Sequence, residues 1–508
     1  MTSTTTSDAQ ALMRETALSD ELRPAYHFVA PAGWLNDPNG VCQRDGVYHL
    51  FYQYNPTGPC HHSIQWGHAT STDLMQWTDR PIALRPSDGH DEEGCWSGVL
   101  VDDGTRPVLV YSGHRDDRQT AMLAYGDESL DHWTKEPSNP VIAAPPAGTD
   151  ITAFRDHCVW REGGVWRQII GSGIRGRGGA AFLYESDDLV HWRELGPLVV
   201  GSADDFSETN PLWTATMWEC VDFFRLDADG RTAAPDCSSG DAHVLIFSAW
   251  DDGRTMHTIS ARGHYAGDRF EVTDYHRLDL GGRHAYAPQS FIDEQGRRML
   301  WAWMQEGRDD AAQLRHGWSG AMTLPRVLRL GAAGDVRQTP APEVEAARGE
   351  ALEWHGLASR AGAAEFGFEV DLPVGSVVEV DLFATPDPTS TDAEFTTLRL
   401  SGVADGSIAV ELDRSRSSLD TTNASSAHTG TVVRTDGRVE VRGFLDRSSI
   451  ELFIDGVPLT TRVYPTRPDA DAIRIRAVDT TIEHLCGWMM RNTEQAHRVL
   501  DLTETSTG

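Results

Sequence analysis

Three acidic residues stand in short stretches crowded with aromatic and turn-forming side chains. Asp37 lies in Trp34-Leu35-Asn36-Asp37-Pro38-Asn39-Gly40, Asp156 follows Arg155 in Phe154-Arg155-Asp156, and Glu219 sits between Trp218 and Cys220. Taken singly, each has an ordinary explanation. Asp-Pro and Asn-Gly are turn dipeptides, an Arg-Asp pair makes a surface salt bridge, and a glutamate on a strand finds a cation. Brought together they could do chemistry, because two carboxyl groups flanking one bond divide nucleophilic attack and proton transfer between them. Residues so far apart in sequence need an element that makes them converge.

An internal repeat supplies that element. Asp73-Leu74-Met75-Gln76-Trp77 recurs as Leu130-Asp131-His132-Trp133 and as Asp188-Leu189-Val190-His191-Trp192, with Trp spacings of 56 and 59 residues. Apolar runs of strand length lie at 48–52, 108–111, 165–170 and 244–247. Units of about 60 residues with four strands each predict the blades of a propeller. Asp37, Ser97, Asp156, Glu219 and Pro288 share one phase of the repeat, 60, 59, 63 and 69 residues apart. Each falls at or just before the first strand of its unit. First strands line the axis of a propeller, so five equivalent positions meet there, and five phases predict five blades.

Past Arg326 the pattern changes. Residues 331–350 are rich in Gly, Ala, Pro and charge, and read as a linker with a short helix. Farther on, Val378, Val380 and Leu382 alternate with Glu379 and Asp381. Ile450, Leu452 and Ile454 alternate with Glu451, Phe453 and Asp455, and Asp455-Gly456 suits a hairpin turn. The polar, Ser-rich residues 413–431 read as loop. The expectation is an all-β chain: an N-terminal extension (1–22), a five-bladed β-propeller (23–330), a linker (331–350) and a C-terminal antiparallel β-sandwich (351–508).

In kind and order these stretches resemble glycoside hydrolase family 32, the invertase and fructanase family. Phe51-Tyr52-Gln53-Tyr54-Asn55-Pro56, Trp66-Gly67-His68-Ala69, Cys95-Trp96-Ser97-Gly98 and Tyr286-Ala287-Pro288-Gln289 complete the set. The resemblance implies the same propeller and sandwich. It implies retaining hydrolysis of terminal β-D-fructofuranosides, such as sucrose and short fructo-oligosaccharides, through a covalent fructosyl intermediate. Asp37 would be the nucleophile, Glu219 the acid/base, and Asp156, beside Arg155, the grip on the fructosyl ring. Asn36, Gln53 and Ser97 would bond fructose hydroxyls. Trp34, Trp66 and Trp96 would form apolar walls, with Tyr286 and Gln289 completing the pocket. No metal and no cofactor is implied.

The chain departs from the family at several places. His157 stands where Pro is usual, His61 and His62 where relatives carry Trp and Gly, and His284 at an often aromatic position. These four histidines are expected at a leaving-group rim, together with Arg175 and Arg177 of the Gly-rich turn 175–179. The departures keep open a fructosyltransferase built on the same acids, including one that forms difructose anhydrides. A non-catalytic fructan-binding protein is a third reading, against which the presence of all three acids counts.

Bulk properties narrow the partners. With 508 residues, 40% of them hydrophobic, the chain can build more than one core. Its 44 basic and 76 acidic residues leave a net charge of −32, which repels nucleic acid and anionic membranes and excludes both as partners. A neutral sugar is indifferent to that field. Seven scattered cysteines with no Cys-x-x-Cys pair argue against a disulfide framework or a zinc site, and are expected reduced and mostly buried. The N-terminus lacks the basic-then-apolar signal-peptide pattern, and no apolar run reaches membrane-spanning length. A soluble, cytoplasmic protein is expected, with its oligomeric state left open.

Overall fold

The computed structural model describes residues 6–493, apart from 205–209, 229, 231–241, 361, 424–425 and 435–436, and also Arg498. Five consecutive antiparallel sheets follow a helix at Thr6–Ser19. Their first strands are Gly33–Arg44, Gly94–Asp102, Ile151–Glu162, Met217–Leu226 and Tyr286–Ile292. Each first strand packs against the next, and the fifth returns to the first, so the ring closes. Sheets two to four have four strands each in sequence order. The first gains a parallel partner, Trp318–Ser319, from the segment between the second and later strands of the fifth. This is the topology of a five-bladed propeller, and the second strands are the apolar runs read from sequence.

The recurring Leu-x-x-Trp signature is a turn with its own chemistry. Leu74, Leu130 and Leu189 all adopt positive φ, at 63°, 61° and 68°. That conformation costs an L-residue roughly 1–2 kcal/mol. Each turn offsets the cost in the same way: the indole N–H of Trp77, Trp133 or Trp192 donates to the leucine carbonyl at 3.1, 2.9 and 2.6 Å. The leucine side chains themselves are buried.

Residues 331–350 do not form the expected linker. Val336–Pro340 pairs with Arg326–Leu330 as the outer strand of blade 5, and Arg348–Ala351 already belongs to the sandwich. A short 3-10 helix, Pro342–Ala347, lies between them. Polar composition hid the strand because its polar side chains are buried and bonded. Gln338 donates to Leu278 O at 2.7 Å, and Arg337 to Asp455 O at 2.6 Å and Val433 O at 2.7 Å. Similarly, His428–Val432 is an edge strand rather than loop.

The C-terminal unit is two six-stranded antiparallel sheets. Val378, Val380 and Leu382 of one face Ile450, Leu452 and Ile454 of the other in one core. The alternating partners are not solvated as a two-layer sandwich would leave them. Glu451 and Phe453 are buried against the propeller, where Phe453 and Phe444 pack with Tyr26, Leu324 and Val344. All six described cysteines are free. Only Cys95 and Cys158 are buried, while Cys60 and Cys486 are exposed, and Cys237 lies outside the described residues. No described helix is long and apolar enough to cross a membrane.

Candidate active site

Every first strand breaks its pairing at the same phase. Register shifts fall between Leu35 and Pro38, Trp96 and Gly98, Arg155 and His157, Glu219 and Asp222, and Tyr286 and Gln289. The skipped residues include Asp37, Ser97, Asp156, Cys220 and Ala287. A β-bulge adds a residue to one strand and re-aims its side chain. Here the bulges turn those residues to the mouth of the axial channel. Three bulge residues, Asp156, Cys220 and Ala287, sit at φ of 66°, 47° and 50°. Their amides, freed from the ladder, are all bonded to side chains: Asp156 N to Ser112 Oγ (3.0 Å), Cys220 N to Asp156 Oδ2 (2.9 Å) and Ala287 N to Ser248 Oγ (2.8 Å).

The three acids meet around Cys220. Its Sγ lies 3.4 Å from Asp37 Oδ2 and 3.5 Å from Asp156 Oδ2. Asp37 accepts Ser97 Oγ at 2.5 Å and Asn36 Nδ2 at 3.0 Å. Gln53 ties this side together, donating to Ser97 Oγ at 2.7 Å and accepting from Asn36 Nδ2 at 3.0 Å. Glu219 is held from both ends: Arg155 donates to Oε1 through Nε (3.0 Å) and Nη2 (2.6 Å), and Tyr286 OH donates to Oε2 at 2.7 Å. The channel continues beneath the acids as a cavity of about 340 Å³ that Asp156, Cys220 and Asp222 help to line.

Electrostatics here are poorly compensated. Burial pushes the Asp37 carboxyl up to about 6, against the hydrogen bonds from Ser97 and Asn36, with the Glu219 charge adding to the rise. Burial also lifts Asp156 to about 7; Arg155 opposes it, while Glu219 and Asp37 add to it. The Arg155 guanidinium therefore acts on Glu219 and Asp156, while Asp37 relies on the hydrogen bonds from Ser97, Asn36 and Cys220. The Cys220 thiol is held well above its usual range by burial and by Asp156 and Asp37, so it stays protonated and donates.

An aromatic arc borders the acids. Trp34 meets Trp303 at 5.7 Å and His61 at 6.0 Å between ring centroids, His61 meets Trp96 at 5.6 Å, and Trp96 stacks on His114 at 4.0 Å. The Arg155 guanidinium lies 5.8 Å from the Trp96 ring and 5.7 Å from that of Trp250. His61 thus stands at the rim, and His62 is exposed beside it.

Several expected pocket residues lie elsewhere. Trp66 is fully buried and supports the wall from behind, donating to Trp96 O at 3.1 Å. Gln289 uses both ends of its amide to join blades 1 and 2, donating to Gly98 O (2.9 Å) and accepting from Val41 N (3.1 Å). His157 is buried, not at the rim; its Nε2 lies 3.0 Å from Ser112 Oγ, so it acts on Asp156 through that serine. His284 is buried 6.0 Å from His428 of the sandwich, with Nδ1 3.3 Å from Gln305 O. Arg175 is solvated, with its Nε 3.1 Å from Asp150 Oδ2, and the Arg177 side chain is likewise exposed.

Ser112, Ser248, Trp250 and Trp303 were not anticipated. Their signal was position: Ser112, Ser248 and Trp303 all pair with a first-strand residue just before its bulge. Gly171 holds the same place in blade 3, where a Cβ would lie 2.4 Å from Trp218 O.

Comparison with known proteins agrees with this layout. The N-terminal domain of glycosyl hydrolases family 32 matches residues 27–340, and the C-terminal domain of that family matches 335–488. A fructan 6-exohydrolase of Beta vulgaris is 37% identical over 66% of this chain, which spans 57% of the beet protein's length. A cell-wall β-fructofuranosidase of Zea mays is 30% identical, covering 93% of this chain and 91% of its own. The crystal structure of fructan 1-exohydrolase IIa from Cichorium intybus superposes with a TM-score of 0.81 at 27% identity, covering 93% of this chain and 98% of that one. With both of its domains matched and its three acids gathered at one channel mouth, the chain belongs to glycosyl hydrolases family 32.

Proposed function

We propose that this protein is a retaining β-fructofuranosidase acting on sucrose and short fructo-oligosaccharides. The observation that carries the reading is the convergence of Asp37, Asp156 and Glu219, from three blades, around Cys220. Asp37 attacks C2 of the terminal fructosyl unit while Glu219 protonates the departing glycosidic oxygen. The Asp37 ester then breaks when Glu219 takes a proton from water and the water oxygen adds to C2. Two inversions at C2 leave the β configuration unchanged. Asp156 accepts hydrogen bonds from ring hydroxyls, which strengthen as positive charge develops on the ring.

Supporting residues fit those tasks. Ser97 and Asn36 orient the nucleophilic carboxylate, and Arg155 with Tyr286 holds the Glu219 side chain in one rotamer. The arc of Trp34, His61 and Trp96 offers apolar faces to a neutral leaving sugar. The names of the beet, maize and chicory relatives support fructoside cleavage.

The test is incubation with sucrose, 1-kestose, and inulin and levan oligomers, with all products separated and the first-formed fructose anomer followed by NMR. Free β-fructofuranose supports the reading. First-formed α-anomer would refute retention, and fructose-lengthened oligomers or difructose anhydrides would assign a transferase instead.

A further inference from the structure

Blade 4 and the sandwich enclose a groove of about 940 Å³ on the face that carries the acids. Its basic side chains come from separate parts of the chain. Arg254 opens the third strand of blade 4 and is exposed, Arg277 ends the fourth, and His428 begins the sandwich strand His428–Val432. Arg277 donates from Nη2 to Asp279 O at 3.0 Å, and its buried Nε meets no acceptor. Behind His428 stands Arg414, 2% exposed, whose bonds go only to neutral oxygens: Ser426 O (2.9 Å), Ser426 Oγ (3.3 Å) and Arg462 O (3.3 Å).

Among the described residues, no carboxylate pairs with Arg254 and Arg277, the two arginines that line the groove, nor with Arg283 and Arg414 behind it. Asp279, the acid nearest in effect to Arg277, is already engaged by Arg326, Thr460 and the Gly281 amide. Asp251 lines the groove and accepts from Thr216 Oγ1 at 2.8 Å. Burial, with Arg414 and Arg277 adding to it, holds the His428 imidazole down to about 3, and burial, opposed by Tyr464 and helped by Arg283, brings Arg414 down to about 10. In a chain of net charge −32, this is a local surplus of positive charge. A desolvated cation without a counter-ion is costly, and an anion relieves the cost.

We propose that this groove is an anion site that takes the phosphate group of a small phosphorylated sugar. Guanidinium groups fork onto phosphate oxygens. The groove is larger than a phosphate ion, and Trp213, Met256 and Leu280 give it an apolar wall for the rest of the molecule. The site is distinct from the axial carboxylates and does not rest on the reading of their reaction.

Isothermal titration of the full chain with inorganic phosphate, glucose 6-phosphate, glucose and citrate tests it, with sodium chloride matching ionic strength. Glucose 6-phosphate is expected to bind saturably at one site, glucose not at all. Equal binding of inorganic phosphate would assign the groove to the free ion and uphold an anion site. Arg254→Gln, at an exposed position, should weaken binding at least tenfold with sucrose turnover unchanged, and Arg277→Gln should do the same. The proposal is overturned if no saturable heat appears, if citrate binds more tightly than either phosphate, if chloride reproduces the signal, if saturating fructose abolishes it, or if Arg254→Gln leaves it intact.

Discussion

Two buried acid clusters in this protein use the same residue types to opposite ends. In the axial cluster, the one arginine, Arg155, pairs with Glu219 and bears on Asp156, and burial lifts Asp37 and Asp156 to about 6 and 7. In the cluster between propeller and sandwich, Asp446 and Glu451 lie as deep yet stay below their ordinary values. The difference is donors. Asp446 accepts the amides of Ala25, Tyr26 and His27 and the His27 ring, at 2.7–3.0 Å. Glu451 accepts the Leu324 amide, the other His27 nitrogen and two Arg326 nitrogens. His27, with a carboxylate on each ring nitrogen, is lifted to about 9 despite its burial. A site that must react leaves its charge unbalanced, whereas a joint between domains balances it.

The largest expected effect separates the clusters outright. Asp37→Asn should lower kcat by roughly 10⁴-fold or more, since the proposed covalent intermediate could not form, while leaving Tm unchanged or higher because a buried, poorly compensated carboxyl is gone. A low Tm would move Asp37 to the structural class. Glu219→Gln should lower sucrose turnover by roughly 10²–10⁴-fold and leave sucrose binding measurable by titration; near-normal turnover would remove it from the acid/base role.

Asp446→Asn should do the reverse. Breaking a buried, balanced network costs about 3–5 kcal/mol, read by denaturant unfolding, with turnover per folded molecule close to wild type. Full stability in this variant would dissolve the comparison.

Their pH responses should also oppose. As pH rises through about 6, Asp37 ionises and kcat/KM climbs, about tenfold per unit below that point. Between 3.8 and about 6 the folded state holds a proton on Asp37 that the unfolded chain releases, so this group subtracts stability as pH rises through that window. His27 acts with the opposite limits: its contribution is complete below 6.5 and is lost as pH rises through about 9. Asp446 and Glu451 contribute above 3.8 and 4.5 and lose that contribution as pH falls. The joint should therefore hold best between about 4.5 and 6.5. The alkaline fall in Tm should flatten in His27→Gln, and an unchanged slope would assign it to other groups. The smallest effect is expected from Arg175→Ala with Arg177→Ala, which should leave kcat/KM within about twofold on sucrose, sucrose phosphate and a fructose trimer, because exposed pairs contribute little. A selective loss on one substrate would bring that turn into the site.

Much of this was legible in the chain. Equal phases of a repeat placed Asp37, Asp156 and Glu219 on one axis before any contact was known, and the departures at His61, His62, His157 and His284 stood out against the family's motifs. What each departure does was not legible. A bulge inverts the parity by which side chains alternate, so a strand residue beside a motif can face the pocket, as Tyr286 does, or a neighbouring blade, as His157 does. The polar residues Arg337 and Gln338 concealed a strand for a related reason, since composition does not tell a solvated polar group from a buried, bonded one.

The sequence by itself determined the repeat and the alternation of the sandwich core and, through its resemblance to the family's motifs, the identity of the three acids. These depend on local spacing and on the properties of single residue types. Only the tertiary structure decided which atoms meet. His27 reaches Asp446 and Glu451 across more than 400 residues, one guanidinium pairs with Glu219 beside Asp156, and Arg254 and Arg277, which form no ion pair among the described residues, line one groove beside blade 4. Charge balance is a sum over neighbours in space, and chain order does not list those neighbours.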